Sequence, residues 1–133
     1  IALFALCVGA PWARAQPATA GRADFAARAM ALRDEAIRRG DQPYGAVVVR
    51  DGAIVGEGVS AVVSLRDPDA HAERVALAAA RRRLATVDLA GCELYGSARA
   101  CALCEAAAAR AGIVRMYYGP GATDAGTPRA PTL

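Results

Sequence analysis

The 133-residue chain contains no lysine and no asparagine, one histidine, and only 5% aromatic residues. Alanine, at 35 residues, and arginine, at 16, take up much of the sequence. The bias resembles the coding preference of a GC-rich genome, so familiar residue choices are expected to be replaced by neighbours at some positions. Strong charge of one sign is also missing. The net charge is +3, with 16 Arg against 13 acids spread along the chain. A nucleic-acid surface normally concentrates its charge, and the one short run, Arg81-Arg82-Arg83, reads more simply as a solvated helix face. There are no internal repeats and no sign of a second domain. With 55% apolar and 22% charged residues, the chain can bury a core, which excludes wholesale disorder. Its length suits one domain.

Residues 1–10 (IALFALCVGA) are apolar and uncharged, and they are too few to span a bilayer. Pro11-Trp12 follows, then Ala13-Arg14-Ala15 before Gln16. This order reads as the back half of a secretory signal peptide, with residues 1–15 removed and 16–22 left as a polar lead-in. The expectation is a periplasmic or secreted protein with no membrane attachment after cleavage. The alternative is a buried N-terminal strand or helix in a cytoplasmic protein. Loss of Cys7 with the signal would leave Cys92, Cys101 and Cys104. Three cysteines do not make a disulfide framework, but they suit a metal site plus one spare thiol.

Residues 24–39 predict a helix, because Phe25, Ala29, Leu32 and Ala36 recur on one face. Gly40 is its expected stop. Residues 44–50 (YGAVVVR) predict a buried strand. Asp51-Gly52 predicts a tight hairpin turn, and residues 53–64 a returning strand. Asp67 and Pro68 are the expected N-cap and first residue of a second helix reaching Leu84. Residues 91–97 predict a third strand, 102–111 a helix ended by Gly112, and 113–118 a fourth strand. Residues 120–133 show no periodic pattern and are expected to be an irregular tail. Strands alternating with helices favour parallel pairing, so the expectation is an α/β protein. Its sheet should have at least four strands, sandwiched by helices.

Three features bear on chemistry. His71-Ala72-Glu73 sits at one helix start, Cys101-Ala102-Leu103-Cys104 at another, and one helix and one strand separate them. Imidazole and thiolates suit tetrahedral zinc, whose fourth position in a catalytic site belongs to water. Cys101 and Cys104 are spaced so that both sulfurs can face one point from the first turn of a helix. The positive end of the helix dipole is expected to lower their thiol pKa values. Glu73 is placed to reach water at such a metal, where a carboxylate can shuttle protons.

The set His71-Ala72-Glu73 … Cys101-Ala102-Leu103-Cys104, with residues 42–49 (QPYGAVVV) and Asp67-Pro68-Asp69-Ala70, resembles the cytidine-deaminase-like zinc deaminases in the branch with a His ligand. Within that branch it is similar to bacterial guanine deaminases and tRNA adenosine deaminases, over residues 23–119. The resemblance implies a three-layer α/β/α sandwich and a homodimer. It implies one zinc ion per subunit on His71, Cys101 and Cys104, and Glu73 as the proton-transferring group. Tyr44 falls where the family stacks a residue on the base; core packing is the alternative. Asp124 falls in a stretch resembling the one with which guanine deaminases read guanine, and a solvated Asp is the alternative. Ser60 stands where the family has a base-reading Asn. Arg99-Ala100 stands where the family has Glu-Pro, so a looser turn and a cation near the metal are expected to weaken binding. The family's C-terminal helices have no counterpart in residues 120–133.

The leading expectation is hydrolytic deamination of a free nucleobase or nucleoside, guanine-like, by a zinc-bound water. The small-molecule partner would be a purine or pyrimidine. A nucleic-acid deaminase, acting on tRNA adenosine or as a toxin, is a second reading that the weak charge argues against. A degenerate, non-catalytic zinc module is a third.

Overall fold

A computed structural model of the chain describes residues 20–131. The expected signal peptide (1–15), its Cys7 and residues 16–19 of the lead-in lie outside the described residues. The elements are α1 (Arg22–Arg38), β1 (Gly45–Arg50), β2 (Ala53–Val59), α2 (Ala72–Leu84), β3 (Glu93–Gly96), α3 (Ala102–Ala111), β4 (Arg115–Tyr118) and β5 (Thr123–Gly126). One sheet holds the five strands in the order β2-β1-β3-β4-β5. Only β3 and β4, joined through α3, run parallel; the other pairs are antiparallel. No described helix is long and apolar enough to cross a membrane.

Side-chain alternation along β1 builds the layers. Val47 and Val49 face α1, where they meet Phe25, Leu32, Tyr95 and Tyr117. Ala46 and Val48 face the opposite side with Ala76, Leu77, Leu94 and Ala108. Strand β1 is therefore covered on both faces, as its unbroken apolar run requires. The three-layer α/β/α sandwich is the architecture expected. The predicted face of α1 (Phe25, Ala29, Leu32, Ala36) is buried throughout.

The turn chemistry also follows the sequence. Asp51 and Gly52 have φ of 51° and 76°, and they join Arg50 directly to Ala53. Gly112 ends α3 at φ 89°. Helix α2 ends differently, on Ala85 held at φ 52°, in the left-handed region where a Cβ is unfavourable.

Most boundaries shift by one or two residues, as β3 (93–96 rather than 91–97) and β4 (115–118 rather than 113–118) do, and three depart further. Strand β2 stops at Val59 rather than at residue 64, because the Asp41 carboxylate captures the N–H groups of Val63 and Ser64 and diverts the chain into turns. Helix α2 begins at Ala72, not after Asp67. The Asp67 carboxylate instead accepts from the Asp69 N–H at 2.9 Å, closing a turn ahead of the helix. The tail is not irregular throughout: Thr123–Gly126 forms β5 against β4. An exposed edge strand of Thr, Asp, Ala and Gly carries no apolar alternation, so periodicity could not reveal it.

Packing of α2 on the sheet depends on small residues on both sides. Ala72, Ala76 and Ala80 form a stripe along the helix, all fully buried. Opposite them, β2 presents Gly56 and Gly58. A Cβ on Gly56 would lie 2.5 Å from the Ala76 carbonyl oxygen and 2.7 Å from the Ala80 nitrogen. Helix backbone therefore rests almost directly on strand backbone. Gly56→Ala is expected to destabilise the fold by about 1–3 kcal/mol through overpacking. Gly121→Ala, with nothing within 4 Å of the added carbon, should leave the melting temperature unchanged; circular dichroism melts compare the two.

Candidate metal centre and active-site cleft

His71 and Cys101 are the N-cap residues of α2 and α3. Both have extended backbones, with φ/ψ of −65°/150° and −69°/164°. The two helices thus begin side by side, and their first turns aim at one point. The His71 Nδ1 lies 3.3 Å from the Cys104 Sγ and 3.6 Å from the Cys101 Sγ. All three ligand atoms fall within 4.8 Å of one another.

This spacing can be tested against zinc. Usual Zn–N and Zn–S bond lengths at a tetrahedral angle put the nitrogen about 3.6 Å from each sulfur. The observed separations fit, and the set of one imidazole and two thiols is a zinc-type donor set. Cys104 is buried and Cys101 exposed, so the cluster has a solvent-facing side. The three residues can hold a metal ion.

The electrostatics differ from expectation at Cys104. Burial pushes its thiol well above the usual range, and the nearby Glu73 carboxylate adds to the rise. The helix dipole does not prevail there. Deprotonation of Cys104 is therefore left to the charge of an incoming cation. The Cys101 sulfur meanwhile accepts from the Cys104 N–H at 3.4 Å and caps the helix.

Glu73, in the first turn of α2, is buried, and that burial raises its carboxyl pKa above the ordinary value. It lines a cleft together with Gly96, Ala98, Arg99, Glu105 and Tyr118. At Gly96 a Cβ would lie 2.9 Å from the Ala98 carbonyl oxygen, so the end of β3 packs closely on the turn that follows it, and 3.6 Å from Glu73 Oε1. The Glu105 carboxylate is occupied by the Arg129 N–H at 3.1 Å.

The remaining candidates fall in different places. Tyr44 is 41% exposed rather than packed in the core, and neither it nor Ser60 is among the residues lining the cleft. Ser60 is buried, and its hydroxyl donates to Asp41 Oδ1 at 3.0 Å. Asp124 is exposed on β5, ion-paired to Arg115 at 2.8 Å. It is not among the residues lining the cleft, whereas its neighbour Ala125 is. Arg99 is exposed, with its guanidinium carbon 5.9 Å from the Tyr118 ring centre. Ala100 packs against the core. Sequence reasoning missed Asp41, Ser97 and Glu105. Ser97 receives the Gly45 N–H at 3.0 Å across 52 residues of sequence, a separation that no local pattern reveals.

The cytidine and deoxycytidylate deaminase zinc-binding region matches residues 21–120. The chain belongs to this family. It is 39% identical to a guanine deaminase of Bacillus subtilis over 102 residues, covering 76% of this chain and 65% of that protein. It is 38% identical to a tRNA-specific adenosine deaminase of Aquifex aeolicus over 91 residues, covering 67% of this chain and 60% of that protein. The chain thus spans less than two thirds of these relatives' length. The solved Bacillus subtilis guanine deaminase superposes with a TM-score of 0.69 at 38% identity, over 71% of this chain and 61% of that one. A guanine deaminase from Nitrosomonas europaea gives 0.71 at 28% identity, over 86% and 69%.

Removing a donor should empty the centre. Cys104→Ser is expected to bring zinc below one ion per chain by elemental analysis. Since the raised Cys104 thiol must release a proton, wild-type zinc affinity should fall by at least about tenfold per pH unit of acidification. Competition with a chromophoric chelator across the neutral range measures this.

Proposed function

We propose that the chain is a zinc-dependent hydrolase that deaminates a nucleobase, free or as a nucleoside and guanine-like, releasing ammonia. The observation that carries this reading is the buried Glu73 carboxyl beside the His71/Cys101/Cys104 donors, at the floor of a cleft open to solvent. His71, Cys101 and Cys104 would hold the ion. Zinc supplies Lewis acidity and lowers the pKa of a coordinated water to about 7.

The reaction forms a C–O bond at the amino-bearing ring carbon and breaks the exocyclic C–N bond. It needs one group that takes a proton from water and gives one to the ring nitrogen and the departing amine. Glu73 is suited to this. Its raised pKa brings the carboxyl closer to the pH at which it can both accept and donate. Tyr44, half out of the protein, offers a face for stacking on the base. Reading of the base is weakened at Ser60: its hydroxyl proton is committed to Asp41, so only its lone pairs remain for a substrate. Similarity to tRNA adenosine deaminases supports a second reading, in which the same chemistry acts on an RNA adenine. Binding to RNA with a steep salt dependence would favour it.

Three measurements test the main reading. Glu73→Gln should lower kcat/KM by about 10²–10⁴-fold while one zinc per chain is retained. A zinc-loaded wild type that releases no ammonia from guanine, adenine, guanosine, adenosine or cytidine sinks the proposal. Tyr44→Ala should weaken kcat/KM by about 1–3 kcal/mol, the worth of one stacked base, without lowering the melting temperature.

A further inference from the structure

Asp41 lies in the connection between α1 and β1 and touches none of the zinc-type donors. Its carboxylate is nonetheless a hub. Oδ1 accepts from the Gln42 N–H at 2.9 Å, the Val63 N–H at 3.2 Å and the Ser60 hydroxyl at 3.0 Å. Oδ2 accepts from the Ser64 N–H at 2.9 Å. Desolvation opposes the charge, but the backbone donors of Ser64, Gln42 and Val63 and the Ser60 hydroxyl hold the carboxyl well below the usual range.

Three of those donors belong to the connection between β2 and α2. That connection is tied to itself: the Ala61 N–H donates to the Ala70 carbonyl at 3.0 Å, and the Asp67 N–H to the Val62 carbonyl at 3.1 Å. Ala70 immediately precedes His71. The grip of Asp41 on residues 60–64 is thus passed through the Ala61–Ala70 hydrogen bond to the residue next to the one that carries the imidazole.

His71 has need of such support. Metal-binding histidines are usually aimed by a carboxylate or carbonyl on the second ring nitrogen. Among the described residues, the only hydrogen-bond contacts of the His71 ring are those of Nδ1 with the two sulfurs. As the N-cap residue, His71 has an extended backbone; its carbonyl accepts the Val75 N–H at 3.0 Å, so it is anchored to α2 on one side and to the 60–70 connection on the other. The direction of its ring is therefore set by the backbone that delivers it.

We propose that Asp41 is a positioning residue for the metal centre: by holding the 60–64 segment it aims His71 at Cys101 and Cys104. This rests on the reading of those three residues as zinc ligands. It gives the Ser60 hydroxyl a second role, as one of the donors that lock the hub.

The test compares Asp41→Asn, Ser60→Ala and, as a control, Arg28→Ala, which removes a surface ion pair to Glu57 at the other side of β2. Three quantities are read on the whole chain. These are zinc affinity by chelator competition, the thermal melt of the zinc-free protein, and the imidazole NMR signals of the zinc-free protein. His71 is the only histidine, so those signals need no assignment. Asp41→Asn keeps the shape but points an amide N–H₂ at backbone donors. It should weaken zinc binding by about 10–100-fold, with shifted or broadened His71 signals. Ser60→Ala should weaken it by about threefold, the scale of one net hydrogen bond. Arg28→Ala should leave it unchanged. A folded Asp41→Asn protein with wild-type zinc affinity and unmoved His71 signals overturns the proposal. If Asp41→Asn does not melt cooperatively, Ser60→Ala decides, and wild-type affinity there overturns it. A wild type that takes up no zinc defeats the zinc reading instead, while the His71 signals of the zinc-free variants still decide what Asp41 does.

Discussion

Two helices starting at the same point create an electrostatic problem that the rest of the site answers. The N-terminus of each helix carries the equivalent of about half a positive charge. Bringing the starts of α2 and α3 together places two such ends side by side. Apolar packing holds them there: the Ala72, Ala76 and Ala80 stripe rests on Gly56 and Gly58, and Ala108 and Ala111 of α3 join the same core. What offsets the repulsion is the acid in each first turn, Glu73 in α2 and Glu105 in α3. In the metal-free chain the Cys104 thiol is kept neutral by burial, so the site is only partly compensated. A cation held by His71, Cys101 and Cys104 would draw the proton from Cys104 and leave an anion facing both helix ends. Metal uptake and the stability of this end of the molecule would then be coupled.

Much of this was legible in the sequence because its causes are local. The apolar spacing of α1, the Asp51-Gly52 turn and the Gly112 stop all act within a few residues. The His71, Cys101 and Cys104 pattern, with Glu73 beside it, stands out because one imidazole and two thiols at helix starts make a zinc-type donor set. What the sequence hid is long-range or apolar-poor. Val62 and Val63 look like strand residues, and only an acid about twenty residues upstream in sequence, Asp41, turns them out of the ladder. Strand β5 is held by an edge ladder and the Arg115–Asp124 pair, neither of which leaves a hydrophobic signature. The dipole argument for the thiols failed at Cys104 because burial depth cannot be read from spacing.

The departures at Ser60, Arg99 and Ala100 also change meaning once placed. Ser60 is held by Asp41, so the position that could read a base instead braces the segment leading to His71. Arg99 lies by the Tyr118 ring at the cleft wall, where it shapes the rim. Ala100 packs against the core.

Ala85 gives the compositional bias a geography. It closes α2 at φ 52°, a conformation costing an L-residue on the order of 1 kcal/mol that glycine would adopt freely. The opposite end of the same helix begins with His71 and Glu73, a full helix length away. The alanine that costs the helix something therefore sits where it disturbs neither the candidate donors nor the buried Ala72, Ala76 and Ala80 stripe.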